Sequence, residues 1–120
     1  MQQVSESVLE AFGKMWGLYP APVMLIHASR EVLAVNACAD GLGIAAGIQC
    51  HSLYPRDKVC PGCQANKALK TGSAVRKTAM DNRSGRFLDG YWIPVQGESD
   101  IYVHFGSDIT EYVKPELMTD

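Results

Sequence analysis

The sequence predicts an α+β fold in which a five-stranded antiparallel sheet carries helices on one face and an amphipathic N-terminal helix on the other. The sequence has five short runs rich in β-branched and aromatic residues. Two of them precede a middle segment of helix formers and cysteines, and three follow it. Of the 120 residues, 47% are apolar and 20% are charged, which is an ordinary globular composition. The chain therefore fits one domain that is large enough to bury a core of its own.

An amphipathic helix is predicted over residues 1–17. Apolar residues recur there at intervals of three or four, which is the spacing of one helix face, and Gly17 and Pro20 end the pattern. Ser7 and Glu10 have the spacing of a capping box at the start of a helix. The apolar face consists of Val4, Val8, Leu9, Phe12, Met15 and Trp16. Such a face packs either on the sheet or on a second copy of the chain.

The five strands are predicted where β-favouring residues run between clusters of turn residues. Ser29 and Arg30 separate the first two runs, which predicts a hairpin, and turn residues at 82–85 and 97–100 separate the last three. The runs are residues 23–28, 31–36, 74–80, 87–95 and 101–106. Two consecutive strands followed later by three are typical of an antiparallel sheet in an α+β fold.

The remaining segments are predicted to be helical or irregular. Residues 37–47 are rich in Ala and Gly, which suits a short helix and a loop. Residues 64–70 contain strong helix formers, and Gly72 is placed to cap the end of that helix. After the last strand, residues 108–117 are expected to form a helix that Pro115 interrupts.

Charge and hydropathy argue against two classes of partner. The net charge is −2, which does not suit a polycation that binds nucleic acid. Residues 56–77 carry six cations and one acid, and residues 81–120 carry three cations and eight acids. This division is typical of two solvated faces, and an electrostatic docking surface for a partner is the alternative. No apolar run approaches the ~18 residues of a membrane span, and the N-terminus has no signal-peptide pattern. We therefore expect a cytoplasmic protein with reduced thiols that contacts neither nucleic acid nor membrane.

Four cysteines exceed what a domain of this size needs for folding. Cys60 and Cys63 form a C-x-x-C pair at the start of a predicted helix, where free helix N–H groups favour a thiolate. Two such thiolates can bind one tetrahedral metal ion. Cys50, together with either Cys38 or His51, would complete its four ligands. A reversible disulfide or inert packing also explains the pair. The cofactor therefore stays open, with none, zinc or an iron–sulfur cluster as the alternatives.

No arrangement of residues in the sequence predicts catalysis. The sequence has no paired carboxylates, no Gly-rich phosphate loop and no Ser-His-Asp order that would indicate an active site. Asp81 and Asp89 are interpreted as solvent-facing charges on strands. A thioredoxin-like enzyme would place its C-x-x-C pair after a strand within a βαβ unit, which the predicted element order lacks. The chain is therefore expected not to be an enzyme.

Several short motifs, taken in order, resemble the PAS family of sensor domains. Residues 22–28 and 31–36 look like the first hairpin of that family and the Asn that follows it. Residues 68–75 look like the end of its long helix entering the third strand, and residues 107–111 look like its closing Asp-Ile-Thr-Glu motif. The resemblance covers residues 18–114 and implies the fold predicted above.

The cysteine-bearing segment is similar to that of a subgroup of bacterial PAS domains. Its matching residues are Cys50 to Tyr54 and then Cys60-Pro61-Gly62-Cys63, in the stretch that links the small helices to the long one. The Asn-Cys-Arg-Phe stretch that attaches flavin in photoreceptors of the family is absent. A photoreceptor is therefore not indicated.

The resemblance also implies a ligand pocket between the sheet and the helices. When the chain is aligned on the closing motif, every second residue of the last predicted strand faces the helices. The predicted strand at residues 87–95 follows the same alternation. The candidate pocket residues are Leu88, Trp92, Tyr102 and His104. The other sheet face is also apolar, so the N-terminal helix and a second subunit are expected to cover it. The candidate dimer face consists of Val8, Phe12, Trp16, Ile93, Val103 and Phe105.

The function that the resemblance implies is signal sensing by a module that binds a small molecule or responds to redox state. Residues 1–17 would form the helix that caps the sheet or joins a homodimer, residues 18–114 the sensor domain, and residues 115–120 a tail or the start of a linker. The output would be a histidine kinase, a cyclic-di-nucleotide enzyme or a transcription regulator. The alternative is a small metal-binding or dithiol redox protein whose working site is the pair Cys60 and Cys63.

Overall fold

The computed structural model describes residues 3–53, 60, 62–81 and 84–118. The strands are β1 Val23–His27, β2 Val32–Val35, β3 Val75–Asp81, β4 Arg86–Pro94 and β5 Ile101–Asp108, and the α-helices are α1 Glu6–Trp16, α2 Ala37–Gly41 and α3 Ala65–Thr71. The strands form one antiparallel sheet in the order β2-β1-β5-β4-β3, which confirms the predicted α+β fold. Within the described ranges, no helix has the length and apolar character that crossing a membrane requires.

The first helix, α1, begins after Ser5 rather than at the predicted capping box of Ser7 and Glu10. The Ser5 backbone is extended, and its Oγ accepts a hydrogen bond of 3.3 Å from the Val8 N–H. A capping side chain has to precede the first helical turn, and Ser7 already lies inside that turn. The apolar face of α1 packs on the sheet through Phe12, of which only 5% is exposed. The helix therefore covers one sheet face, as its periodicity predicted.

A single buried carboxamide, that of Asn36, joins the end of α1 to β1 and α2. Its Oδ1 accepts hydrogen bonds from the backbone N–H groups of Val23 and Ala39, both at 3.0 Å. Its Nδ2 donates to three backbone carbonyls at distances between 2.8 and 3.2 Å. These carbonyls belong to Trp16, Tyr19 and Ala21. One side chain thus satisfies five backbone groups where the chain passes from helix to sheet.

The core has two apolar layers, one on each face of the sheet, because side chains alternate along the strands. In β5, for example, Val103 packs toward α1, whereas Tyr102 packs toward α3. The third helix contacts this second face through Ala65 and Ala68. It ends at Gly72, as predicted, and the φ of 65° at that residue is a left-handed conformation that glycine adopts without strain.

The predicted C-terminal helix is wrong. The last strand continues to Asp108, and two short 3₁₀ turns follow it, at Thr110–Tyr112 and Pro115–Met118. The Asp108 carboxylate accepts hydrogen bonds from the N–H of Thr110 at 3.0 Å and from its hydroxyl at 2.6 Å, which stabilises a turn at the strand end. Val113 is extended, and Pro115 has no N–H with which to continue a helix.

Candidate functional site

A cavity of about 520 Å³ lies on the face of the sheet that α3 covers. Three of the four predicted pocket residues line it, namely Leu88, Trp92 and His104 on β4 and β5. Met24 of β1 and Ile44 of the loop after α2 add apolar surface. The alternation assumed for β4 and β5 therefore brings these side chains together, and the volume suits a small organic molecule.

Tyr102, the fourth predicted pocket residue, does not line this cavity. Its side chain is fully buried and packs with Ala65 and Ala68 of α3. The sheet face was predicted correctly, but the helix lies directly over this position. Burial raises the pKa of the Tyr102 hydroxyl well above its ordinary value, and the nearby thiol of Cys50 acts in the same direction. The Tyr102 side chain is therefore neutral at physiological pH.

The rings of Trp92 and His104 form a flat surface on the cavity floor. They are cross-strand partners on β4 and β5, and their rings stack with centroids 4.8 Å apart. The Nδ1 of His104 lies 2.8 Å from the carbonyl oxygen of Tyr91, which only accepts hydrogen bonds, so Nδ1 carries the proton. Burial lowers the pKa of His104 below 6.5, although the hydrogen bond to Tyr91 opposes that shift. The ring is therefore neutral near pH 7, with Nε2 as an acceptor.

Three cysteines line the wall of the same cavity: Cys50, Cys60 and Cys63. The N–H of Cys63 donates to the carbonyl of Cys60 at 3.1 Å, which is the closing hydrogen bond of a turn and holds the two residues close together. The pair does not lie inside a helix, because α3 begins at Ala65 and its capping position is occupied by Gln64. The expected activation of the pair by a helix N-terminus therefore lacks its structural basis.

The thiol of Cys50 lies in an environment that disfavours ionisation. Burial, together with the smaller effects of the neighbouring Cys63 and Cys60 thiols, raises the pKa of Cys50 to about 11, against the opposing charge of Arg30. The N–H of Cys50 donates to the carbonyl of Arg30 at 2.8 Å, which holds the two residues side by side. Cys50 is therefore a neutral thiol at physiological pH and a poor nucleophile.

The other candidate ligands for a metal ion lie apart from this wall. Cys38 is on α2, and His51 is in the 3₁₀ turn that starts at Cys50; neither side chain lines the cavity. In the part of the chain that the structure describes, no three Cys, His, Asp or Glu side chains are close enough together to hold a metal ion. The described geometry therefore gives no support to a preformed zinc or iron–sulfur site.

A second cavity, of about 360 Å³, opens between α1 and the other face of the sheet. Five of the six predicted dimer-face residues line this groove. They are Val8, Phe12, Trp16, Ile93 and Val103. Phe105, the sixth, packs in the layer beneath the helix, where its ring lies 5.1 Å from that of Trp16. Met15 lines the groove as well and is 77% exposed, so the groove has an apolar rim.

Two charged residues that were not predicted to be buried, Arg30 and Asp89, are buried in the structure. Arg30 is only 4% exposed, although it stands at a hairpin turn with a φ of 78°. Asp89, interpreted from the sequence as solvent-facing, is 8% exposed and accepts two hydrogen bonds from Arg76, at 2.7 and 3.1 Å. The Tyr91 hydroxyl donates to the same carboxylate at 3.3 Å. Asp89 is therefore a structural ion-pair partner rather than a surface charge.

Comparison with known proteins identifies the fold. No family model and no curated protein matches the chain, whereas several solved structures do. A sensory box sensor histidine kinase from Vibrio cholerae superimposes with a TM-score of 0.61 at 13% identity, covering 92% of this chain and 100% of that one. A domain of an HTR-like protein from Haloarcula marismortui gives 0.56 at 24% identity, covering 76% and 99%.

The PAS domain of BvgS from Bordetella pertussis gives a TM-score of 0.51 at 18% identity, covering 90% of this chain and 92% of that one. The antiparallel five-stranded sheet of this chain is the arrangement that the resemblance at residues 22–36 and 107–111 implied. The likeness to the cysteine-bearing subgroup stays a prediction. The chain therefore has the PAS-domain fold.

Proposed function

We propose that this chain is a signal-sensing PAS module that binds a small, planar, largely apolar molecule over Trp92 and His104. The observation that carries the proposal is the cavity of about 520 Å³, whose floor is the stacked pair of rings. Flat aromatic surfaces favour flat ligands, because stacking adds to the free energy gained by burying apolar area. The neutral ring of His104 offers one acceptor nitrogen for orientation.

The signal would pass through the sheet to α1. On β4 and β5, the residues next to Trp92 and His104 point to the opposite face, where Ile93 and Val103 contact the helix side. A ligand that binds two arrangements of these strands unequally changes their populations, and the helix packed on them follows. The receiving partner would be an output domain such as a histidine kinase or a transcription regulator. The sensor histidine kinase among the similar structures supports this assignment.

The groove beside α1 would be occupied by a second copy of the chain, as the predicted dimer face requires. Its lining is apolar, and Met15 and Leu18 remain 77% and 96% exposed in the single chain. Light scattering is expected to give twice the monomer mass. Met15→Glu is expected to give the monomer mass, because it places a charge on the rim of the groove. The control Leu42→Glu changes a residue of similar exposure, 67%, beside α2 and should leave the dimer intact.

Calorimetric titration with indole, a neutral planar probe, tests the ligand site. The native chain is expected to bind indole at one site. Gly106→Leu should abolish binding, because Gly106 lines the cavity and a Cβ there would meet no atom closer than 3.9 Å, which leaves room for a side chain that fills the cavity. Gly41→Leu is the matched control, since Gly41 lies on exposed α2 with no atom within 4 Å of its Cβ position.

If titration of the native chain with indole releases no heat of binding, the ligand site is refuted. If Gly106→Leu binds indole as tightly as the native chain, the indole site lies elsewhere on the protein. Either result would leave the fold unaffected. Loss of binding in Gly41→Leu as well would show that the loss in Gly106→Leu is not specific to the cavity.

A second candidate function, a dithiol redox response, is favoured by the turn at Cys60 and Cys63. A β-turn holds its first and fourth Cα atoms within about 7 Å, which overlaps the separations found in disulfides. Reaction with a hydroperoxide would form the S–S bond, with both thiol protons and two electrons passing to the peroxide, which leaves as water and alcohol. The new bond would lie at the wall of the ligand cavity.

Mass spectrometry after treatment with tert-butyl hydroperoxide tests this second function. A loss of two hydrogens on the peptide that contains Cys60 and Cys63 is expected, together with altered indole affinity. The double variant Cys60→Ser/Cys63→Ser should show neither effect. Cys38→Ser is the control, because Cys38 lies away from the cavity wall. An unchanged mass after treatment would contradict the proposal.

A further inference from the structure

Arg30 carries a buried positive charge whose contacts are with neutral groups. Its Nη1 donates to the carbonyl of Ala28 at 2.6 Å, and its Nη2 donates to the Oδ1 of Asn66 on α3 at 3.1 Å. Its Nε is buried without a hydrogen-bond partner, and no carboxylate among the described residues lies within ion-pair distance of the guanidinium. Buried charges in proteins are normally paired, because removing an ion from water without compensation is costly.

The hydroxyl of Tyr102 is a second buried donor without a partner. Among the described residues, its oxygen and the Nε of Arg30 are the two side-chain polar atoms that are fully buried and unbonded. Both residues lie beside the start of α3, because Arg30 bonds to Asn66 and Tyr102 packs in one cluster with Ala65. A buried hydroxyl that lacks its hydrogen bond destabilises the folded state, so a shared partner for both groups is favoured.

Cys50 connects these two donors to the ligand cavity. Its N–H bonds to the carbonyl of Arg30, and its side chain lines the cavity wall. Its side chain also packs against the apolar cluster that contains Tyr102, so Cys50 is a neighbour of both residues. A ligand in the cavity is therefore separated from the two donors by the Cys50 side chain, at the start of the 3₁₀ turn Cys50–Leu53.

We propose that Arg30 and Tyr102 bind the carboxylate of a small planar acid whose apolar body occupies the cavity over Trp92 and His104. Both unpartnered atoms are donors, and a carboxylate supplies two acceptor oxygens, one for each. Its single negative charge matches the single guanidinium, and hydrogen bonds to ionised groups are the stronger kind. The assignment rests on the proposed ligand site and adds the chemical class of the ligand. Entry of the carboxylate displaces Cys50 from the wall.

Four probes separate the parts of this proposal in calorimetric titrations of the full chain. Indole-3-acetate has both the planar apolar ring and the carboxylate, and indole-3-acetamide has the same shape without the charge. Indole has the ring alone, and acetate has the carboxylate alone. The acid is expected to bind about tenfold more tightly than the amide, as a charge-assisted hydrogen bond implies. Acetate should bind at least about a hundredfold more weakly than the acid, because it buries no apolar body.

Variants of the two donors complete the test. Arg30→Gln should reduce the ratio of acid to amide affinity to about one, and Tyr102→Phe should lower acid affinity about threefold or more while leaving indole unchanged. Tyr102→Phe removes an unpartnered buried hydroxyl, so it is also expected to raise the melting temperature without ligand. Arg86→Gln, at an exposed arginine, is the matched control.

Equal affinities for acid and amide in the native chain would overturn the proposal even if Arg30→Gln failed to fold. If the native chain bound acid and amide equally but still bound indole, the ligand site over Trp92 and His104 would remain supported. If none of the four probes bound, both the ligand site and the carboxylate site would be refuted. Acetate binding as tight as that of the acid would show a site for a free small anion and would refute the planar acid.

Discussion

The rings of Trp92 and His104 stack across β4 and β5 with their planes 19° apart. The adjacent cross-strand pair, Tyr91 and Phe105, stacks on the opposite face with centroids 5.0 Å apart and planes 16° apart. Phe105 in turn contacts Trp16 at the end of α1. Two aromatic pairs, on opposite faces of the same two strands, therefore lie between the cavity lined by Trp92 and His104 and the helix. A change in the twist of these strands acts on both pairs at once.

Protonation of His104 is expected to destabilise the fold in mild acid. Its pKa in the folded state lies below the ordinary value of 6.5, so between these two values the unfolded chain binds a proton that the folded chain does not. The stabilising contribution is complete above pH 6.5 and is lost as the pH falls, by at most about 1.4 kcal/mol per pH unit.

Urea denaturation between pH 7.5 and pH 5 measures this effect. His104→Gln, which stays neutral, should show a smaller fall in the free energy of unfolding over the same range. Identical pH profiles for the native chain and the variant would contradict the prediction. His27→Gln is the control, because His27 pairs with Asp100 at the partly exposed hairpin end.

Cys50 is expected to be the slowest of the cavity thiols to react. With its pKa near 11 rather than 9.0, its thiolate fraction at pH 8 is about 100-fold smaller than that of an ordinary thiol. A chain that retains only Cys50, with the other three cysteines changed to Ser, should react with iodoacetamide at a rate that rises up to about pH 11. Removal of the other thiols relieves part of the shift, so the native chain followed by peptide mass spectrometry is the stricter measurement. Alkylation of Cys50 ahead of Cys60 and Cys63 would contradict this.

Phe12 and Met15 should differ sharply in their contributions to stability, although both line the groove beside α1. Phe12 is 5% exposed and Met15 is 77% exposed. Phe12→Ala is expected to lower the free energy of unfolding by about 3 kcal/mol, because it leaves a cavity between helix and sheet. Met15→Ala should change it by less than about 0.5 kcal/mol at low protein concentration, where a dimer has dissociated. Equal losses would show that the helix does not pack as described.

Asp108 is expected to stay ionised to unusually low pH. The Arg86 guanidinium at 2.7 Å and two hydrogen bonds from Thr110 hold the pKa of this carboxyl well below its ordinary value of 3.8. Because the folded-state pKa is depressed, the stabilising contribution is present above pH 3.8 and is lost as the pH falls further.

Carboxyl ¹³C NMR titration reads the Asp108 pKa directly. Arg86→Gln should raise it toward the ordinary value, and Thr110→Val should raise it by a smaller amount, since Arg86 supplies the largest contribution. A titration of Asp108 at its ordinary pKa in the native chain would refute the prediction. Lys14→Gln, which removes a cation paired with Glu10 on α1, is the control and should leave the pKa of Asp108 unchanged.

The strands, the two apolar faces and most of the cavity floor could be predicted from the sequence because they follow from local periodicity. A period of two assigns Trp92 and His104 to one face and Ile93 and Val103 to the other without knowledge of the strand order. The end of α3 at Gly72 followed in the same way from the conformational freedom of glycine. These features depend on residues that are near one another in the chain.

The buried charges could not be predicted in this way because their partners come from distant parts of the chain. Arg30 bonds to Asn66, 36 positions away, and Asp89 is covered by Arg76 from the neighbouring strand. Whether such residues are buried depends on which strands are neighbours and in which register. Tyr102 illustrates the same limit, since periodicity gives the sheet face but not the helix that lies above it.

The hydrogen bonds of Asn36 determine how the attachment of α1 to the sheet responds to the surrounding solution. Its five hydrogen bonds all involve backbone amides, so no partner gains or loses a charge. Changes in salt or acidity that alter the ion pairs at the hairpin and strand ends leave this attachment as it was. The attachment of α1 to the sheet through Asn36 is therefore expected to be the same in acid and in high salt, whereas the contacts made by ion pairs weaken there.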